Sequence, residues 1–122
     1  MSDRLASRKQ AEKRGRRGEL VAAALLVCKG YRILGRRVKT RAGEIDLIAK
    51  SPRGVVCFVE VKGRPDERFA AEAVGSRQRG RIVRAAELYL AGRPLPARFD
   101  VITVIWGRLP RHLKDAWRPD DV

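Results

Sequence analysis

Apolar residues recur at helical spacing in the first quarter of the chain and then switch to the alternation of strands. Leu20, Ala23, Ala24 and Val27 mark the apolar stripe of a helix predicted over residues 11–29. Gly30 is its stop signal. Tyr31 to Thr40, interrupted by Gly35, predicts a first strand. Gly43 to Ala49 alternates, with Ile45, Leu47 and Ala49 toward one side and Glu44, Asp46 and Ile48 toward the other. Val55 to Lys62 is β-branched and aromatic, a third strand. Ser76 is placed to cap a second helix running to about Ala91, with Ile82, Val83, Ala86 and Leu90 as its buried stripe. Arg98 to Ile105 is the last predicted strand, with Phe99, Val101 and Thr103 on one side and Asp100 and Ile102 on the other. A strand, a helix and a strand in this order imply a right-handed crossover and a parallel pair. The order α-β-β-β-α-β predicts an α/β domain whose mixed β-sheet is flanked by the two helices. The whole of residues 1–122 reads as one domain, with a frayed start over residues 1–10 and a packing tail over residues 106–122. Within that tail Arg111 to Trp117 reads as a short packing segment, with Trp117 as a core plug.

The turn between the second and third strands fixes their register. Pro52 suits the second position of a type I turn, and Gly54 takes the left-handed conformation that closes a loop of Pro52, Arg53 and Gly54. Ser51 then faces Val55, Ile48 faces Phe58, and Asp46 faces Glu60. Lys62, two residues beyond Glu60, joins the same side because side chains repeat with a period of two. Like charges set directly opposite destabilise a sheet, so the two carboxylates call for compensation. A hard divalent cation with oxygen ligands supplies it, held by one or two carboxylates with the rest of its shell left to water and phosphate. Lys62 is then placed to hold an attacking water or negative charge that develops in a reaction. The plainer reading makes Asp46, Glu60 and Lys62 the wet face of a hairpin joined by a salt bridge. Ile48 and Phe58 on that same side weigh against it, because they cover part of the face.

These residues carry a resemblance. An acid in GEIDLI, a hairpin, and a Glu-x-Lys on the next strand are similar to the core motif of the PD-(D/E)XK nuclease superfamily. More closely, GEIDLIA, FVEVKGR and RFDVI resemble the YraN-type family of small bacterial endonuclease-like proteins, and the likeness runs from about Gly15 to Trp117. The resemblance implies a restriction-endonuclease-like fold, with Asp46 and Glu60 binding Mg²⁺ or Mn²⁺ and Lys62 positioning the nucleophilic water. In the first helix Gly15, Gly18, Glu19, Ala22 and Leu25 match a family pattern whose glutamate often completes the metal site, so Glu19 is the third expected ligand. The plainer reading of Glu19 is a solvated or salt-bridged helix residue. Early in the second helix the family carries a lysine where this chain has Gln78, which keeps a hydrogen bond toward phosphate and loses the charge.

Composition points to the partner. The formal net charge is +14, from 28 Lys and Arg against 14 Asp and Glu. Such an excess attracts polyanions and governs association, not fold. Nucleic acid is the expected partner, DNA ahead of RNA, with Arg14, Arg16, Arg17, Arg41 and Arg64 as nominated contacts; a homodimer is compatible with this reading. Arg64 opens a charged segment to about Ala73, read as a surface loop. His112 is the single histidine and the 2 cysteines, Cys28 and Cys57, lack metal-site spacing, so both read as buried thiols and any metal should be held by oxygen. No apolar stretch follows the basic start as a signal peptide requires, and none is long enough to span a bilayer, which predicts a cytoplasmic protein. The functional expectation is a metal-dependent nuclease on DNA, with branched or damaged forms as candidate substrates. Its rival is a nucleic-acid-binding module that keeps the fold and does not cleave. An enzyme on a small phosphorylated metabolite fits the metal site but leaves the charge without a purpose.

Overall fold

The computed structural model describes residues 17–63 and 75–121. Its first helix, α1, occupies described residues 17–28. Strands β1 (Arg32–Thr40), β2 (Gly43–Lys50) and β3 (Val56–Lys62) follow, then helix α2 (Ser76–Leu90) and strands β4 (Ala97–Thr103) and β5 (Arg111–Trp117). A short 3-10 turn, Pro119–Asp121, closes the described chain. The five strands form one sheet in the order β1-β2-β3-β4-β5. Neighbours run antiparallel except β3 and β4, which are parallel and joined through α2. The α/β class and the mixed sheet are therefore those the sequence predicts.

The sheet is covered on both faces. On one, Ile82, Ala85 and Ala86 of α2 pack on Ile45, Ile48, Phe58, Val101 and a stack of Phe99 on Trp117. On the other, Ala22 and Leu26 of α1 pack on Leu47, Ala49, Cys57, Val59 and Ile102. Coverage on both sides explains why β3 reads as a nearly unbroken apolar run. The hairpin loop forms as expected: Gly54 has φ of 87°, its N–H donates to the Ser51 carbonyl at 2.9 Å, and Ser51 N–H donates to Val55 at 2.8 Å.

Several expectations are corrected. The stripe of α1 is rotated: Leu20 and Val27 are 54% and 58% exposed, while Ala22 and Leu26 are fully buried. Every position from Leu20 to Val27 is apolar, so periodicity selects no phase. Packing does, because small residues let the helix approach the sheet: a Cβ on Gly18 would sit 3.6 Å from the Val61 side chain. Cys28 turns outward with that rotation and is exposed, whereas Cys57 is buried as expected, its thiol pushed up to about 11 by that burial. Ile45 packs with Ile48 on the α2 side, not with Leu47, because β2 leaves its ladder with β3 beyond Leu47. Gly75, not Ser76, is the N-cap of α2. Arg111 to Trp117, expected only to pack, is a fifth strand on β4. Its polar sequence hid it, since it is an edge strand with most side chains exposed. The expectations for residues 1–10, Gly15 and the loop from Arg64 lie outside the described residues.

Candidate metal and nucleic-acid site

The departure of β2 from β3 makes the site. The paired residues run Ala49 with Cys57 and Leu47 with Val59, so a regular ladder would next bond Val61 to Ile45. Instead, Val61 N–H donates to Oδ2 of Asp46 at 2.9 Å. The Asp46 side chain has taken the place of a backbone acceptor and is held where the two strands part. Glu60, on the neighbouring strand, lies close enough that the negative charge of Asp46 acts on it. Asp46 and Glu60 are thus neighbours across the strands, beyond the last regular pair.

Glu60 is only 3% exposed, and its Oε1 has no hydrogen-bond partner. Its Oε2 accepts from Gln78 Nε2 at 3.3 Å. Gln78 Oε1 in turn accepts from Lys62 Nζ at 3.1 Å. Gln78 therefore bridges the lysine and the inner glutamate from α2. Burial first, and then the negative charge of Asp46, push Glu60 up to about 9, so it carries a proton at neutral pH. Asp46 is also raised, chiefly by burial, with the Val61 amide and the charge of Lys62 working the other way.

Asp46 and Lys62 line a cleft of about 570 Å³ together with Gly18, Glu19 and Val104, and Trp106 stands on its rim. Glu60 lies behind this wall. Glu19 reaches the cleft, yet its Oε2 accepts from Arg37 Nε at 2.7 Å, so it stands apart from the Asp46, Glu60, Lys62 and Gln78 network. Among the described residues no three His, Cys, Asp or Glu side chains gather as a ready metal shell. What the site offers is two neighbouring carboxyls, one with an unpartnered buried oxygen. Hard oxygen donors of that kind fit Mg²⁺ or Mn²⁺, with most of the shell left to water and phosphate. Of the nominated contacts, Arg17 on α1 and Arg41 on the β1–β2 turn are exposed, and Arg14, Arg16 and Arg64 lie outside the described residues.

Two features escaped the sequence. Trp106, 63% exposed, follows β4 beside Gly107, and only the fold shows that this loop returns to the acid pair. The second is a buried hub on the other face of the sheet. Asp100, fully buried, accepts from Arg98 Nε at 2.9 Å and from the Asp115 amide at 3.0 Å, and lies 2.7 Å from His112 Nε2. An arginine two residues before an aspartate in one strand was the available signal, since both then share a face.

Comparison with known proteins comes out consistently. Residues 18–104 match the model of a family described as "Uncharacterised protein family UPF0102". A UPF0102 protein of Maricaulis maris is 48% identical over 119 residues, covering 94% of this chain and 93% of its own. One from Mesorhizobium japonicum is 50% identical over 118 residues, covering 92% of each. A third, from a Bradyrhizobium species, is 51% identical over 107 residues, 84% of this chain and 75% of its own.

Proposed function

The chain belongs to the uncharacterised protein family UPF0102, and on that premise we propose that it is a metal-dependent nuclease acting on the phosphodiester bonds of DNA. The observation that carries the reading is the buried Glu60 oxygen left without a partner beside a second carboxyl. An unsatisfied buried polar atom costs roughly 1–3 kcal/mol, and a fold keeps such a cost where something else later satisfies the group. Bound there, Mg²⁺ or Mn²⁺ would act as a Lewis acid on phosphate oxygens and lower the pKa of a coordinated water. Asp46, facing the cleft, and Glu60 behind it would hold the ion. Lys62, its ammonium aimed by Gln78, would orient the water or balance the charge that develops on phosphorus. Glu19 would join only by giving up Arg37. Arg17 and Arg41, with Arg14, Arg16 and Arg64, would meet the backbone of the nucleic acid, as the +14 charge favours. The restriction-endonuclease-like reading of the fold and a cytoplasmic location belong to the same proposal. Among the described residues no helix is long and apolar enough to cross a membrane.

One observation favours the rival, a module that binds without cleaving: Glu19 is held by Arg37 and Lys62 by Gln78, so two of the groups named for the reaction already have other partners. Cleavage assays separate the two. With Mn²⁺ or Mg²⁺ the wild-type protein should cut at least one of duplex, single-stranded, flapped or four-way-junction DNA. Lys62→Ala should lower that rate by about 10²–10³ while still shifting DNA in a gel. No cutting of any substrate would leave the binding module in its place, and equal cutting by Lys62→Ala would take the catalytic role from Lys62.

A further inference from the structure

A second cleft lies on the same sheet at its opposite end. It is about 460 Å³ in volume, and Lys29, Arg53, Arg98 and Lys114 converge on it around Tyr31 and Ser51. These residues come from four places: Lys29 from the end of α1, Arg53 from the β2–β3 loop, Arg98 from the start of β4, and Lys114 from the middle of β5. No local sequence run assembles them. The strand order does, because β3, β4 and the β5 edge bring these ends side by side.

Two of the four cations are fixed. Arg98 grips Asp100 through Nε and Nη2, at 2.9 and 3.1 Å, and its Nη2 also donates to the Tyr31 hydroxyl. Lys29 Nζ lies 2.7 Å from Nδ1 of His112, whose Nε2 lies 2.7 Å from Asp100 Oδ2. An ammonium has only protons to give, so Nδ1 accepts and the ring proton sits on Nε2, toward the aspartate. The buried carboxylate of Asp100 therefore sets the positions of both Arg98 and, through His112, Lys29. The other two cations are exposed, on a turn and on the edge strand, and have no ion pair among the described residues. Four positive groups thus face one cleft, with one carboxylate behind them already committed to Arg98. Partial burial, and then Lys114 and Arg98 opposing Asp100, lower the pKa of Lys29, as crowding of like charges requires.

We propose that this cleft is a phosphate-binding site, with Lys29 and Arg98 as its preset donors and Arg53 and Lys114 as the pair that closes on the anion. Guanidinium and ammonium groups suit phosphate oxygens: Arg53 can offer paired N–H donors, while Arg98, whose Nε and Nη2 serve Asp100, has Nη1 left to give. The phosphate can come from a small anion or from a nucleic-acid backbone. Geometry allows the second: β3, which begins next to Val55 of this cleft, runs to Lys62 at the acidic site, a span of roughly 20 Å at about 3.3 Å per residue. The site does not depend on cleavage at Asp46 and Glu60, so it can hold even if that reading fails.

Amide chemical shifts test it on the intact chain. Inorganic phosphate, titrated at constant ionic strength against chloride, should move the amides of Arg53, Gly54 and Lys114 along a saturating curve. Arg53→Ala/Lys114→Ala, which alters only exposed side chains, should make that response linear and at least tenfold weaker, whereas Asp46→Asn should leave it intact. A second arm uses a short duplex oligonucleotide. If a backbone phosphate is the occupant, the same amides move and the double variant lowers the log–log salt slope of DNA binding by about 1.8, close to 0.9 for each phosphate no longer neutralised. Saturation by phosphate with no response to duplex identifies a small anion and upholds the site. Unmoved amides in both arms, or identical curves in wild type and double variant, overturn it.

Discussion

Glu60 and Asp100 are buried carboxyls on adjacent parallel strands, one on each face of the sheet, and their surroundings are opposite in kind. Burial alone would push Asp100 up, but His112, Arg98 and the Asp115 amide more than offset it and hold the group below the usual carboxylate range. Every hydrogen bond it accepts stabilises the ionised form. Glu60 has a second carboxyl against it, one amide donor from Gln78, and one oxygen with nothing. Its proton stays on. A fold that satisfies one buried acid so fully and leaves another short has treated them differently, and such differences mark where a protein holds chemistry in reserve.

On that contrast Asp100 is structural, and its loss is the most expensive change. Asp100→Ala should destabilise the fold by about 3–5 kcal/mol, because Arg98 is left as a partly buried, unpaired charge. Denaturant unfolding measures this; a loss below about 1 kcal/mol would demote the hub to an ordinary surface pair.

Glu60→Gln should do the reverse. The folded state keeps a proton on Glu60 up to about 9, whereas the unfolded chain releases it near the ordinary 4.5. The folded form therefore binds more protons, and wild-type stability falls as pH rises between those values. The amide does not titrate, so the variant should gain on the wild type across that window, by on the order of a few kcal/mol at its upper end. At pH 4 the two should be close. A variant less stable than wild type at pH 8 would mean that the pair is already satisfied.

A smaller effect concerns the basic surface around the acidic site. Arg17→Ala and Arg41→Ala should each reduce the log–log salt slope of DNA binding by about 0.9 and leave stability within about 0.5 kcal/mol. Unchanged slopes would remove these two arginines from the interface.

Most of the frame was legible because strand pattern and turn chemistry agree: Pro52 and Gly54 fixed a loop, and the loop brought Asp46 to Glu60. What was not legible depended on residues distant in sequence. The phase of α1 is set by Gly18 meeting Val61, which no residue near Leu20 announces. β5 reads as polar tail because an edge strand needs few apolar side chains, and its identity rests on pairing with β4. Asp46 was expected in a regular pair and instead caps the Val61 amide, since leaving the ladder costs little once a side chain replaces the backbone acceptor. From sequence Gln78 is a residue that keeps a hydrogen bond toward phosphate and loses the family's charge; its place between Lys62 and Glu60 emerges only when α2 is folded over β3.

The central claim is that the acid pair is held ready for a divalent cation, and proton release tests it most directly. A cation can bind Glu60 only as the carboxylate, so the proton retained at neutral pH must leave. Mn²⁺ titrations by calorimetry at pH 7, in buffers of different ionisation enthalpy, should show close to one proton released per ion bound. That release should vanish in Glu60→Gln, and binding should weaken sharply in Asp46→Asn. Absence of binding, or binding without proton release that both variants reproduce, would contradict the account.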